Sequence, residues 1–190
     1  NAARMAKGME ANVTIFDNRI SRIRELDMFF GSAITKLYAT KDLIAEYVAN
    51  ADLVVGAALV PGDDTPKLVT KAMLKTMREG SALVDVAIDQ GGCFETSRPT
   101  THDNPIFIES GIVHYCVTNM PGAVARTSTY ALTNATIPFV KEIANKGCDR
   151  AILENKNLAN GLNVYKGLIT HKGVANSLKQ EFVSPENAIK

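Results

Sequence analysis

The run Leu53-Val54-Val55-Gly56-Ala57, then Leu68 to Met77, then Ala82-Leu83-Val84-Asp85-Val86-Ala87-Ile88, decides the fold class. The two flanking runs are apolar at successive positions, a pattern of strands covered on both faces. The middle stretch carries its apolar residues at helical spacing. Strand, helix and strand in this order form a βαβ unit, whose strands are parallel. Working outward, the alternation continues. On the amino-terminal side, Lys41 to Asn50 reads as a helix with Leu43, Ile44, Tyr47 and Val48 on one face. Before it come a strand at Ile34 to Tyr38, a helix over residues 18–29, and a short strand from Asn12 to Phe16 ending at Asp17. Residues 1–9 read as a helix ending at Gly8. On the carboxyl side, Ile112 to Val117 reads as the last strand.

From about Thr127 the pattern changes. Ser128 to Lys146 reads as one long helix, with Thr127 or Ser128 as N-cap, Gly147 just past its end and a kink expected at Pro138. Beyond Gly147 only Gly173 to Phe182 reads as a short helix. The expected division is therefore 1–125 and 126–190. The first part is an α/β domain, a doubly wound parallel sheet. The second is the long helix plus a segment too short for a core of its own. The chain opens at Asn1 in what reads as helix already under way, as expected of the later part of a longer polypeptide.

Composition narrows the function classes. Of 190 residues, 46% are hydrophobic and 22% charged, which is ordinary for a folded domain. Lys and Arg number 21 against 20 Asp and Glu, so no basic field large enough to hold a nucleic-acid backbone is expected. The longest apolar run, Leu53 to Pro61, is far too short to span a bilayer. Three cysteines without CxxC spacing argue against a disulfide framework or structural zinc site and fit a reducing, cytoplasmic setting.

Ligands of open α/β sheets bind outside the carboxyl ends of the strands. The expected strand ends carry Asp17, then Gly56-Ala57-Ala58-Leu59, then Asp89-Gln90-Gly91-Gly92, then Thr118-Asn119-Met120-Pro121. Asp17 has two readings. An acid ending the second strand of a dinucleotide fold accepts hydrogen bonds from the adenosine ribose and repels a 2′-phosphate, favouring NAD. Alternatively it caps the following helix. Asp89 and Asn119 read either as site groups or as turn residues. Arg98 reads either as a phosphate partner or as a solvated loop arginine. His102 and His114 have no partner at nucleophile or metal spacing. Cys93 reads as a small turn residue, and Glu142 with Lys146 as an i,i+4 ion pair.

Val84-Asp85-Val86-Ala87-Ile88-Asp89-Gln90-Gly91-Gly92-Cys93-Phe94-Glu95 closely resembles the signature of bacterial alanine dehydrogenases. So do Arg98-Pro99-Thr100-Thr101, Val117 to Val124, Thr129 to Thr136, Leu59-Val60-Pro61-Gly62 and Asn1-Ala2-Ala3-Arg4. The likeness covers essentially the whole chain. Proton-translocating transhydrogenases share the fold but are less similar in the Asp89 loop.

The resemblance implies the second half of an alanine dehydrogenase. This is a Rossmann-type NAD domain, with its first strand and Gly-rich turn ahead of Asn1, followed by the crossing into a substrate domain. It implies reversible oxidative deamination of L-alanine to pyruvate and ammonium, with NAD as cofactor. It further implies a cytoplasmic homo-oligomer, a hexamer. The family's substrate-binding residues and catalytic histidine fall outside this sequence. Residue by residue, Asp17 matches the adenosine-ribose acid and Arg22 the basic residue near the adenosine. Ala58 and Leu59 match a backbone wall beside the cofactor. Val86, Ala87, Ile88 and Asp89, with Val117, Thr118, Asn119 and Met120, match the turns around nicotinamide and substrate. Arg98 matches a cofactor-proximal arginine, Asp89 the catalytic aspartate and Asn119 an active-site amide. Ala39 stands where some relatives carry a cofactor-binding serine. Lys146 replaces the histidine of a metal pair with Glu142, so no metal is expected. The alternatives are a transhydrogenase NAD domain, or a nucleotide-binding fragment without catalysis.

Overall fold

The computed structural model describes residues 1–58 and 65–189. They form two compact units that divide between Thr118 and Asn119. The first unit holds α1 (Ala2–Gly8), β1 (Thr14–Asp17), α2 (Ile20–Phe30), β2 (Thr35–Tyr38), α3 (Lys41–Asn50), β3 (Leu53–Gly56) and α4 (Lys71–Leu74). It continues with β4 (Ala82–Asp85), β5 (Ile106–Glu109) and β6 (Ile112–Tyr115). β1 and β2 pair in parallel, with Asp17 opposite Tyr38. A four-stranded sheet has the order β3-β4-β6-β5. Its first three strands are parallel and β5 runs antiparallel to β6.

Local chemistry accounts for most elements. Thr40 caps α3, its hydroxyl accepting from the Leu43 N–H at 3.3 Å, and α3 buries Ile44 and Val48 from its expected apolar face. These side chains join Val69, Met73, Leu74, Met77, Leu83, Phe94 and Ile112 in the main core.

Three expectations are corrected here. The helix expected over Leu68 to Met77 shrinks to α4, because Leu68 and Val69 are drawn into extended pairing. Leu68 N–H donates to Cys93 O at 2.7 Å, and Glu95 N–H donates to Val69 O at 2.9 Å. The strand expected to reach Ile88 stops at Asp85. The chain then turns, and Ile88–Gln90 form a short 3-10 helix that holds Asp89. The edge strand β5 was not expected. It joins β6 through Ser110 and Gly111, whose φ angles of 54° and 76° are those of a tight hairpin turn.

The second unit begins with a 3-10 turn, Met120–Val124, that feeds directly into α5 (Ala125–Lys146). The expected cap at Thr127 or Ser128 is therefore wrong: the helix is already under way, and the Ser128 hydroxyl donates back to Pro121 O at 2.8 Å. α5 continues through Pro138 to Gly147. Next come α6 (Cys148–Glu154), α7 (Lys156–Gly161), the hairpin β7 (Val164–Tyr165) and β8 (Leu168–Ile169), α8 (Lys172–Leu178) and α9 (Pro185–Ile189). The helix expected at Gly173 to Phe182 ends early at Lys179, whose φ of 53° reverses the chain so that Phe182 bridges to Ile169.

Candidate active site

The centre of the candidate site is the turn after β4. Asp85, the last residue of that strand, is fully buried. Its Oδ1 accepts from the Ala87 N–H at 3.1 Å, and its Oδ2 accepts from the Cys93 N–H at 2.8 Å and from the Ser97 hydroxyl. One carboxylate thus ties both ends of the segment that carries Asp89. Gly92 closes the turn with φ of 77°, and a Cβ there would lie 2.6 Å from Asp85 Oδ2. Val86 is half-exposed, Ala87 and Ile88 are buried, and Asp89 is exposed.

Neighbouring elements press on the same turn. Val86 N–H donates to Gly56 O at 2.8 Å. A Cβ on Gly56 would lie 2.7 Å from the Phe94 ring and 2.9 Å from Cys93 Cβ, so only glycine lets β3 end this close to the turn. The Cys93 thiol donates weakly to Ala58 O at 3.8 Å, which engages one carbonyl of the expected cofactor wall. Burial pushes that thiol up to about 11, unlike an activated nucleophile and in keeping with a small turn residue. Lys67 Nζ donates to Gly91 O and to Gly92 O, the latter at 2.8 Å. Leu59, and with it the run Leu59-Val60-Pro61-Gly62, lies outside the described residues.

Arg98 is exposed, and its guanidinium lies 4.0 Å from the centre of the Phe107 ring. Phe107 stacks in turn on His114 at 4.7 Å. His114 is fully buried and bonded at both ring nitrogens. Its Nδ1 donates to Ile112 O at 3.0 Å, and its Nε2 shares a hydrogen bond with the Thr96 hydroxyl at 2.8 Å. That satisfied imidazole is a structural group.

Asp17 ends β1. Its Oδ1 accepts from the Arg19 N–H at 2.8 Å at the entrance to α2, which is the turn-forming role. Its Oδ2 makes no hydrogen bond among the described residues, and 22% of the side chain is exposed. An acceptor oxygen in that state fits a ribose diol. The cation beside it is Arg19, with Nε at 3.5 Å. Arg22 instead pairs with Glu25 at 2.6 Å. Ala39 touches Asp17 through its backbone, its N–H donating to Asp17 O at 3.0 Å.

Val117 is fully buried, and Thr118 N–H donates to Thr100 O at 3.1 Å. Both belong to the first unit, whereas Asn119 and Met120 open the second. Asn119 adopts φ of 53°, a left-handed conformation that asparagine tolerates, and its carbonyl accepts from Gly122 N–H at 2.8 Å.

Comparison with known proteins gives this arrangement a family. Residues 1–172 match the model of the alanine dehydrogenase/PNT C-terminal domain. The chain belongs to that family. It is 52% identical over 189 residues to an alanine dehydrogenase of Halomonas elongata, and 50% identical over 190 residues to alanine dehydrogenase 2 of Staphylococcus aureus. It spans about half the length of these relatives, covering 51% of each. Among solved structures it is similar to an L-alanine dehydrogenase, with a TM-score of 0.82 and 46% identity over 94% of this chain and 49% of that one. A transhydrogenase from Sinorhizobium meliloti, at 24% identity and a TM-score of 0.68 over 90% of this chain and 46% of that one, shares the fold. The α/β unit is therefore of the Rossmann type seen in this family.

Within this alanine dehydrogenase/PNT domain, three residues around the candidate site were not singled out by the sequence reading. Asp85 was hidden because the strand was expected to run past it. Arg19 was passed over because the resemblance pointed to Arg22. Lys67 carried no signal, since a lysine before an apolar run is ordinary. On α5, Glu142 pairs with Lys146 at 2.8 Å and accepts from Asn155 Nδ2 at 2.6 Å. Lys146 also meets Glu154 at 2.9 Å. These hydrogen bonds, first those to Lys146, hold Glu142 below the usual carboxylate range, and Lys146 is raised by the same pairing.

Proposed function

We propose that this chain is the nucleotide-binding and carboxyl-terminal part of an alanine dehydrogenase. The whole protein converts L-alanine, oxidised NAD and water reversibly to pyruvate, ammonium, NADH and a proton. The observation that carries this reading is identity of 50–52% over the full length of this chain with alanine dehydrogenases. At 24% the transhydrogenase supports only a shared fold.

Residues 1–125 form the nucleotide-binding domain in this reading, and 126–190 lead into the substrate domain. NAD, when bound, supplies the hydride acceptor. Asp17 Oδ2 accepts from the adenosine ribose, with Arg19 and Arg22 along the same edge. Half-exposed Val86, backed by buried Ala87 and Ile88, offers an apolar surface to the nicotinamide. Ala58, Leu59, Arg98, Val117, Thr118 and Met120 complete the cofactor contacts. Asp89 and Asn119 are the catalytic groups: Asp89 places a negative charge where the substrate nitrogen becomes a cation, and Asn119 orients by hydrogen bonding. The 190-residue chain alone is inactive. The whole protein is a cytoplasmic homohexamer, and no metal binds at Glu142, because Lys146 and Asn155 each engage one of its carboxylate oxygens.

The test is NADH formation by the intact protein. L-alanine should drive it, and alanine-independent hydride exchange between nucleotides should be absent. Hydride exchange without an alanine requirement would favour the transhydrogenase reading; nucleotide binding with neither reaction would favour the fragment reading.

A further inference from the structure

We propose that Asp85 and Lys67 are positioning residues that together set the place of Asp89; this rests on the alanine dehydrogenase reading. The starting observation concerns Asp89 itself. Its side chain is exposed and makes no hydrogen bond among the described residues. Nothing at the carboxylate fixes where it stands. Its position is inherited entirely from the backbone of the turn.

That backbone is held at four residues, Ala87, Gly91, Gly92 and Cys93. Asp85 accepts from the N–H of Ala87, two residues before Asp89, and from the N–H of Cys93, four residues after it. Lys67 Nζ donates to the carbonyls of Gly91 and Gly92. The turn's own bonds, Gln90 N–H to Ala87 O at 2.9 Å and Gly92 N–H to Ala87 O at 3.1 Å, close the loop between these anchors. Gly92 joins the two: its carbonyl meets the ammonium, and its Cα packs against the Asp85 carboxylate.

The chemistry of each anchor is specific. Asp85 meets three donors and no acceptor, so a carboxylate satisfies all of them. An amide in its place turns one oxygen into a donor and sets it against an N–H. Lys67 meets two carbonyl oxygens, which an ammonium serves with two of its three protons. Neither group is required to touch substrate or cofactor, and Asp85 is fully buried. Both act through Asp89.

The test uses the intact protein with Lys67→Met, Lys67→Arg and Asp85→Asn. In Lys67→Met, amide hydrogen exchange over residues 89–93 should rise roughly tenfold, with residues 112–117 unchanged. Its kcat should fall roughly ten- to a hundredfold, the scale of a misplaced reacting group, with NADH dissociation and KM for alanine within about threefold of wild type. Lys67→Arg should recover most of the kcat, since it keeps cationic donors. Asp85→Asn should repeat the pattern more strongly; if it does not fold, Lys67→Met decides. Unchanged exchange over 89–93 overturns the proposal, as does unchanged kcat in an active enzyme. Equal losses of kcat and NADH binding overturn it too, since they mark a cofactor contact. The exchange measurement needs no turnover. An intact wild type without alanine-dependent NADH formation therefore refutes the enzyme reading, while exchange still decides whether these two residues hold the turn.

Discussion

Gly56→Ala isolates a single steric contact at the heart of the candidate site. The residue's backbone is in a region open to any amino acid, so no conformational penalty accompanies the change. The added methyl would lie 2.7 Å from Phe94 Cζ, 2.9 Å from Phe94 Cε1 and 2.9 Å from Cys93 Cβ. Carbon atoms rest at about 3.5–4.0 Å, so each must retreat by roughly 0.6 Å or more. Neither neighbour yields easily. Phe94 is 1% exposed and Cys93 0%. Their backbones are tied by Leu68 N–H to Cys93 O at 2.7 Å and by the Val69–Phe94 bridge. Inserting one carbon into a packed core costs about 1–3 kcal/mol, the burial of the added carbon already counted. A net loss on that scale is expected. The measurement is urea unfolding of the intact protein, with Gly8→Ala as control, since a Cβ there meets nothing within 4 Å. Because the displaced atoms flank the Asp89 turn, kcat should fall with stability. Gly56→Ala with stability within about 0.3 kcal/mol of wild type, below the smallest loss expected, would refute the packing argument.

Further outcomes follow from the same geometry. Asp89→Asn keeps shape and removes charge; kcat should fall by roughly 10²-fold with NADH affinity little changed, and near-normal turnover would make Asp89 a turn residue only. Asp17→Ser should admit NADP, measured as the ratio of dissociation constants for NADPH and NADH; a wild type that binds both equally would contradict the role of Asp17. Burial holds the Cys93 proton more tightly in the folded chain, up to about 11. That stability is fully present below the ordinary thiol range and is lost as pH rises toward 11. The urea midpoint should therefore drop over this alkaline window, and drop less in Cys93→Ala. Exposed Cys148 should be alkylated well before buried Cys93 and Cys116, as peptide mass mapping would report.

Much of the architecture was legible because it is written in local chemistry. α3 matches its expectation from Lys41 to Asn50, since a capping threonine and an apolar stripe four residues apart act within one helix. The βαβ alternation was readable from its apolar runs, although β3 leaves Leu53 and Val55 exposed instead of covered on both faces. Asp17 was visible as a strand end because it closes a short β-rich run. Only the tertiary structure decided which aspartate of Val84 to Asp89 is buried. Nothing in that run distinguishes Asp85 from Asp89. The choice depends on where β4 stops, and that is set by Gly56 O taking the Val86 N–H and by Phe94 packing on Gly56, contacts made across the sheet. α4 was overread because the Cys93–Glu95 segment, distant in sequence, claims Leu68 and Val69 for extended pairing. Arg22 was expected near the adenosine, but Glu25 pairs with it and the arginine beside Asp17 is Arg19. Periodicity and capping act between neighbours in the chain and so leave a trace in the sequence. Strand ends, buried carboxylates and the anchors of an exposed aspartate are settled by partners that only folding brings into reach.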